Sequence, residues 1–235
     1  MELETRTLSL ADLGGPESLR LDEGPNKTPK IVGMAPPWNS WSVDLGGFRE
    51  QFAPGAFSRC LERHRNDPRG GADVIAAWDH DEARILGRTT NGTLDLQQTA
   101  RGLEWAATPP KEGTPTTAEV FPLIRGGYVF GCSFAFSVPD ENNGQEWTQD
   151  GSGYFSRTIK DADLYHVSPV SRAAYPRSQL AMRSLELWKQ KNLTSHEIEQ
   201  ISERTADQAA DAVRAHRMSS VAAAAALARL RTHGR

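Results

Sequence analysis

Short apolar segments separated by turn residues run through the middle of the chain, and this spacing constrains the fold most strongly. The runs are bounded by Gly, Asn and Arg, and none is longer than a typical strand. Closely spaced strands with tight turns favour an antiparallel barrel or sandwich. The expected strands are 30–34, 73–78, 85–88, 93–97, 103–106, 154–160 and 163–170.

Two short helices interrupt these strands, so the pattern predicts an α+β fold that is mainly β. Pro54 suits a first helical turn, and apolar residues follow at helical spacing up to Leu61. A second helix is expected from Thr114 to Gly126, with Pro122 inside it. Residues 42–52 are typical of a hairpin.

Both ends of the chain differ in composition from the middle. Residues 1–28 show little periodicity and are predicted to be a loose, flexible arm. We expect the folded domain to span 29–184. From residue 185 to 235 the sequence favours helix, including five alanines at 222–226, so this segment is predicted to be a helical or partly disordered tail.

Composition excludes several classes of protein. With 24% charged residues and a net charge of −3, the chain has no global field that would select nucleic acid or a membrane as partner. Cys60 and Cys132 are too few for a disulfide framework, which favours a reducing compartment. No apolar stretch approaches the roughly 20 residues of a membrane span, and the N-terminus is acidic where a secretory signal is basic. We expect the protein to work where it is made.

A histidine and a serine, each next to an apolar run, are the candidates for chemistry. His80 follows Trp78-Asp79, and Ser133 follows Gly131-Cys132. An imidazole within reach of a serine hydroxyl can take its proton during attack on a carbonyl, which indicates a serine hydrolase. His166 is a third candidate: it could orient the first imidazole, although its spacing alone favours a core histidine bonded to a backbone carbonyl.

Other chemistries fit the sequence less well. His80, Cys132 and His166 lack the close ligand pairs of zinc sites, so we expect no metal. The Gly-Gly pairs at 46–47 and 126–127 belong to no phosphate-binding fingerprint, so no cofactor is expected. The chain also lacks the Gly-x-Ser-x-Gly elbow of α/β-hydrolase esterases.

Four motifs in order resemble the prohead (capsid maturation) proteases of tailed phages, of the HK97 type, whose fold is similar to that of the herpesvirus assemblins. The resemblance covers residues 29–184. The motifs are Gly-Gly-Phe-Arg-Glu-Gln-Phe-Ala-Pro-Gly-Ala-Phe at 46–57, Trp-Asp-His-Asp at 78–81 with Ile-Leu-Gly-Arg at 85–88, Gly-Cys-Ser-Phe-Ala-Phe at 131–136, and Tyr-His-Val-Ser-Pro-Val at 165–170 with Ala-Ala-Tyr-Pro at 173–176.

The resemblance implies a serine endopeptidase on a closed antiparallel β-barrel surrounded by helices. Such an enzyme would act in the host cytoplasm inside the procapsid, cleave scaffold and major capsid protein, and cleave itself. It would need no cofactor, no membrane and no specific nucleic acid, and a homodimer is expected from the assemblins. The tail would recruit it into the procapsid, unless it is a disordered end without a partner.

Carried over by motif, Ser133 is the nucleophile, His80 its general base and His166 the third member of a Ser-His-His triad. Many phage members carry a glutamate at the third position. A neutral imidazole fixes a tautomer but stabilises an imidazolium less well than a carboxylate does, so we expect a slow protease unless Asp79 or Asp81 supplies the charge. Arg172 is an oxyanion-hole candidate by analogy with the assemblins. The alternative is a non-catalytic capsid assembly or scaffolding protein that retains the fold.

Overall fold

The computed structural model describes residues 3–204 apart from 24–27, 68–72, 112–113 and 173–178, together with a few helical residues between 206 and 214. Its strands and helices are numbered here in chain order. The strands are β1 Glu4–Ser9, β2 Leu19–Asp22, β3 Lys30–Pro37, β4 Phe48–Phe52, β5 Ile75–Trp78, β6 Asp81–Arg88, β7 Leu94–Gln98, β8 Gly102–Ala107, β9 Gly131–Ser137, β10 Gln145–Gln149, β11 Phe155–Ile159 and β12 Asp163–Val170; the helices are α1 Ser58–Asn66, α2 Pro115–Arg125 and α3 Gln179–Asn192.

The described strands form three open sheets, so the expectation of a closed, assemblin-like barrel is wrong. A five-stranded sheet has the order β1-β9-β12-β5-β6, a four-stranded sheet β2-β3-β8-β7, and a three-stranded sheet β10-β11-β4. Two pairings, β12 with β5 and β11 with β4, are parallel. Parallel pairing requires long crossovers, and strand spacing in a sequence does not reveal which distant strands will pair.

Most of the expected strands are present, with shifted ends. The hairpin expected at 42–52 is absent, because β4 pairs with β11 while the residues before it form turns. The first helix starts at Ser58 rather than Pro54, although Ala56, Phe57, Cys60 and Leu61 are all buried as its periodicity implied. Helix α2 contains Pro122, as expected, and ends before Gly126.

The N-terminal segment differs from the loose arm that its sequence suggests. Strand β1 pairs antiparallel with β9, and β2 pairs with β3. The side chains of β1 that are buried are Glu4 and Arg6. Burial of charged rather than apolar residues explains why no hydrophobic period reveals this strand.

The core lies against one face of β9, where aromatic rings pack edge-to-face. Phe52 meets Phe134 and Phe136 at ring-centroid distances of 5.3 and 5.0 Å. Because successive side chains of a strand point to opposite faces, Ser133 lies on the face of β9 away from Phe134. All seven residues of β9 are buried, so Ser133 lies inside the protein, on the second strand of the five-stranded sheet.

The chain divides into two compact units, residues 1–185 and 186–235. In the second unit, residues 195–204 are helical, and Thr194 and Glu197 cap this helix reciprocally through their side chains and backbone N–H groups. The alanines at 222–226 lie outside the described residues. Among the described helices, none is both long and apolar enough to cross a membrane.

Candidate active site

A tight turn between β5 and β6 carries His80. Trp78 and Asp81 are paired across it, which leaves Asp79 and His80 as a two-residue loop, and both have positive φ angles, of 50° and 63°. Two-residue hairpin loops require this left-handed backbone, which residues with a side chain adopt at some cost. Surrounding contacts must therefore hold His80 in place.

The side chain of Asp79 supplies those contacts by tying the turn to the end of β12. Its carboxylate accepts hydrogen bonds from the backbone N–H of Ser171 at 2.9 Å and from the Ser171 hydroxyl at 2.6 Å. The backbone N–H of Asp79 donates to the carbonyl of Pro169. Asp79 thus anchors the loop, while the carboxylate of Asp81 accepts the backbone N–H of Ala83.

His80 and His166 are brought together by this turn. The Nδ1 atom of His80 lies 2.7 Å from Nε2 of His166, a hydrogen bond between two imidazoles, and both side chains are partly buried. In the tautomer in which His80 Nδ1–H donates, His80 Nε2 carries a free lone pair. That atom is buried and has no hydrogen-bond partner within the described part of the chain.

Both imidazoles are neutral at pH 7. Burial lowers the pKa of His80 below its ordinary 6.5, and the nearby Asp79 carboxylate opposes this only in part. Burial, and then the neighbouring His80, lower the pKa of His166 to about 4. A neutral His80 is in the state that a general base requires.

Ser133, in the middle of β9, is fully buried and bonded to β1 rather than to His80. Its Oγ donates to the carbonyl oxygen of Arg6 at 2.8 Å and accepts from the hydroxyl of Thr7 at 3.0 Å. The structure therefore brings the two histidines together but leaves the serine hydroxyl engaged elsewhere.

Ser168 lies on the same strand as His166, next to the strand that carries Ser133. It stands directly opposite Ser133 on the neighbouring strand β12 and two residues after His166, so the three share one face of the sheet. Its side chain is buried, and its Oγ has no partner among the described residues. We call His80, His166, Ser133 and Ser168 the histidine–serine cluster.

A second buried polar cluster joins β1 to β4 and β11. Arg6 donates from Nε to Glu50 at 2.9 Å and from Nη2 to Glu4 at 2.7 Å. Arg157 donates to Glu4 and to Glu50 from Nη1 at 2.9 and 2.8 Å. All four side chains are at most 8% exposed. We call Glu4, Arg6, Glu50 and Arg157 the charge cluster.

The remaining candidates lie outside these clusters. Arg172 is exposed two residues after β12. Cys60 and Cys132 are free, buried thiols, and burial raises the pKa of Cys132 to about 12, so neither is a ready nucleophile. In the described part of the chain, no group of three or more His, Cys, Asp or Glu residues could hold a metal ion.

Comparison with known proteins decides the family. Residues 17–191 match the model of the caudovirus prohead serine proteases. The chain belongs to this family. No curated protein matches it. Among solved structures, the capsid assembly protease of bacteriophage T4 is similar, with 12% identity and a TM-score of 0.45 over 72% of this chain and 96% of that chain.

The motifs of this prohead protease did not reveal Ser168 or the charge cluster as buried polar features. Ser168 could have been found from its spacing of two residues after His166 on a strand. Glu50 lies midway between Phe48 and Phe52 on one strand and faces the same side as both. This spacing of two residues could have marked it as a buried charge. Arg6 carries no comparable signal.

Proposed function

We propose that the protein is a serine endopeptidase of phage head maturation, in which Ser133 attacks the peptide carbonyl, His80 is the general base and His166 orients His80. The observation that carries this proposal is the 2.7 Å hydrogen bond between His80 Nδ1 and His166 Nε2. It leaves the buried Nε2 of His80 without a partner in the described part of the chain, on a sheet that also carries the candidate nucleophile.

The proposed chemistry is acyl transfer through a serine nucleophile. The Ser133 Oγ forms a bond to the substrate carbonyl carbon as its proton passes to His80 Nε2. The same proton is then given to the leaving amine when the carbon–nitrogen bond breaks. Water, deprotonated by His80, hydrolyses the acyl-enzyme and restores the Ser133 hydroxyl.

The role of His166 in this scheme is to hold His80 in one tautomer. By accepting the Nδ1–H of His80, it keeps Nε2 free as the base. With a pKa of about 4, His166 is uncharged at pH 7 and gives little stabilisation to the imidazolium that forms. We therefore expect a slower enzyme than one with a carboxylate at this position. The anchoring contacts of Asp79 to Ser171 leave its carboxylate committed elsewhere.

Membership of the prohead protease family supports scaffold and major capsid proteins as substrates, inside the procapsid in the host cytoplasm. We further propose that the chain cleaves itself and acts as a homodimer. Arg172, exposed near the end of β12, is the proposed oxyanion contact, and the segment 185–235 is proposed to recruit the domain from residue 29 to 184 into the procapsid.

The proposal is tested by incubating wild type and Ser133→Ala with the cognate capsid and scaffold proteins, followed by intact-mass spectrometry. We expect fragments only with the wild type, because removal of a triad serine costs about 10⁴-fold or more in turnover. Ser168→Ala is the matched control, since it deletes a buried hydroxyl directly opposite. Intact proteins in all samples would support a non-catalytic assembly protein instead.

A further inference from the structure

Strand β1 is unusual because it lies outside the matched family region but covers the strand that carries the candidate nucleophile. The family match begins at residue 17, whereas β1 spans Glu4–Ser9. Its residues pair one-to-one with Phe136 back to Gly131. An extended segment beside a nucleophile strand is the geometry in which peptides commonly bind by strand addition.

Gly131 fits this strand closely. A Cβ atom at Gly131 would lie 1.9 Å from the carbonyl oxygen of Leu8, a distance that no side chain tolerates. The glycine therefore provides room for the backbone of an extended segment in the position of β1.

The hydrogen bonds of Ser133 show that β1 holds the site in a non-productive state. The hydroxyl proton of Ser133 points to the carbonyl oxygen of Arg6, so it is not directed to His80 Nε2. The hydroxyl of Thr7 occupies an acceptor site of the same oxygen. While these bonds persist, the proton transfer that starts catalysis cannot occur.

No described strand pairs with the outer edge of β1. It is an edge strand of the five-stranded sheet, and a cavity of about 230 Å³ borders it. Arg6, Thr7 and Leu8 line this cavity together with the partly exposed Trp41 and the exposed Val43. Edge strands bounded by open space exchange more readily than strands paired on both sides.

The charge cluster defines what can replace β1. The carboxylate of Glu4 accepts a hydrogen bond from Arg157, and Arg6 donates one to the carboxylate of Glu50. If β1 left without a replacement, Arg157 and Glu50 would still be paired with each other at 2.8 Å, and Arg157 with Gln145, but both would lose their charged partners on β1. A replacement strand with an acidic residue two positions before a basic residue would restore both contacts.

We propose that β1 is a built-in pseudosubstrate, which occupies the position on β9 taken by an extended peptide substrate, and that Arg157 and Glu50 form a subsite for an acid-x-base segment of that substrate. This inference rests on the proposed protease function and names its substrate class. The enzyme opens when a high local concentration of such segments, as in a packed assembly, competes with β1 for β9.

A reversible crosslink tests whether β1 must move. Leu8 stands directly opposite the native Cys132, at a spacing that permits a disulfide, so Leu8→Cys can be oxidised to lock β1 onto β9. We expect oxidation to lower casein turnover by about tenfold or more, which corresponds to about 1.4 kcal/mol in the activation barrier. Reductant should restore the turnover. Leu8→Ser is the control, because serine is close to cysteine in size but cannot form a disulfide. Its casein turnover should not change on oxidation.

The outcomes distinguish failure of the pseudosubstrate role of β1 from failure of the protease function itself. Crosslinked Leu8→Cys, verified by the mass loss of two hydrogens, that cleaves casein as fast as its reduced form would overturn the pseudosubstrate. Wild type that cleaves neither casein nor capsid protein in any redox state would refute the protease itself.

A peptide experiment with the wild-type chain does not depend on the variant folding. A synthetic peptide of residues 3–10 should inhibit casein cleavage, and a control peptide with the Glu and Arg positions exchanged should inhibit at least about tenfold less, since the exchange places like charges together. Equal inhibition by both peptides, or inhibition by neither, would contradict the acid-x-base subsite.

Discussion

Two polar clusters meet at the five-stranded sheet, and they differ in how completely their side chains are paired. In the charge cluster, every side-chain nitrogen and oxygen of Glu4, Arg6, Glu50 and Arg157 has at least one hydrogen-bond partner. In the histidine–serine cluster, His80 Nε2 and Ser168 Oγ are buried and have no hydrogen-bond partner among the residues that the structure describes.

This difference indicates what each cluster does. A fully paired buried network stabilises one arrangement of the strands, because removing any member leaves a charge uncompensated. Buried polar atoms without partners are costly to the fold and are expected where chemistry needs a free lone pair. The first cluster positions β1, and the second contains the proposed catalytic residues Ser133, His80 and His166.

The largest expected effect comes from breaking the charge cluster. Arg157→Met leaves Glu4 and Glu50 with Arg6 alone and should lower the free energy of unfolding by about 3–5 kcal/mol. Lys160→Met is the control, since Lys160 pairs with Glu146 and the two side chains are 49% and 53% exposed, so it should cost less than about 1 kcal/mol. Urea unfolding measures both, and equal costs would contradict a special role for the buried cluster.

The same variant has a pH signature. Burial opposes the ionisation of Glu4, but Arg157 and Arg6 outweigh it and lower its pKa from 4.5 to about 2. The stability that this carboxylate contributes is therefore present above pH 4.5 and is lost as the pH falls toward 2. The difference in the free energy of unfolding between wild type and Arg157→Met should therefore become smaller as the pH falls from 4.5 toward 2, and urea unfolding at several pH values measures it.

A smaller effect is expected when the third member of the proposed triad regains a charge. His166→Glu should raise turnover about tenfold, because a carboxylate favours the His80 imidazolium by about one pKa unit. It should also raise the His80 pKa. The acid limb of kcat/KM, expected below pH 6.5 in the wild type because burial lowers this pKa, should then move to higher pH.

His166→Gln is the matched neutral control for this change, since it keeps hydrogen-bonding capacity without charge. A gain in turnover of the same size in His166→Gln would show that charge is not responsible. Unchanged turnover in His166→Ala would remove His166 from the mechanism.

The smallest effect concerns the unpaired hydroxyl in the histidine–serine cluster. Ser168→Ala should raise the free energy of unfolding by about 1 kcal/mol, because it removes a buried hydroxyl that has no partner among the described residues. Ser133→Ala should lower it by about as much, since it deletes bonds to Arg6 and Thr7. Thermal unfolding of Ser168→Ala and Ser133→Ala measures both changes. A loss of stability in Ser168→Ala would mean that the Ser168 hydroxyl is hydrogen-bonded in solution.

The sequence predicts parts of this structure that depend on local pattern. The buried runs of β5, β9 and β12 follow from their apolar residues, and the pairing of His80 with His166 follows from motif order. The sheets themselves could not be predicted, because the parallel pairing of β12 with β5 joins residues far apart in the chain. Strand β1 has no hydrophobic period that would predict it, because the side chains that it buries are the charged Glu4 and Arg6.

The engagement of Ser133 by β1 could not be predicted either. It depends on the register that places Thr7 opposite Ser133, and this register is set by close backbone approach at Gly131 and by the pairing of Arg6 with Glu50. Neither contact leaves a periodic trace in the sequence.

The most direct test of the account is to ask which buried hydroxyl becomes chemically activated. The wild-type protein is treated with a fluorophosphonate in reductant, and the adduct is mapped by peptide mass spectrometry. A single adduct on Ser133 is expected, formed while β1 is displaced from β9, and it should disappear in His80→Ala and persist in Ser168→Ala. An adduct on Ser168, or capsid cleavage that persists in Ser133→Ala, would contradict it.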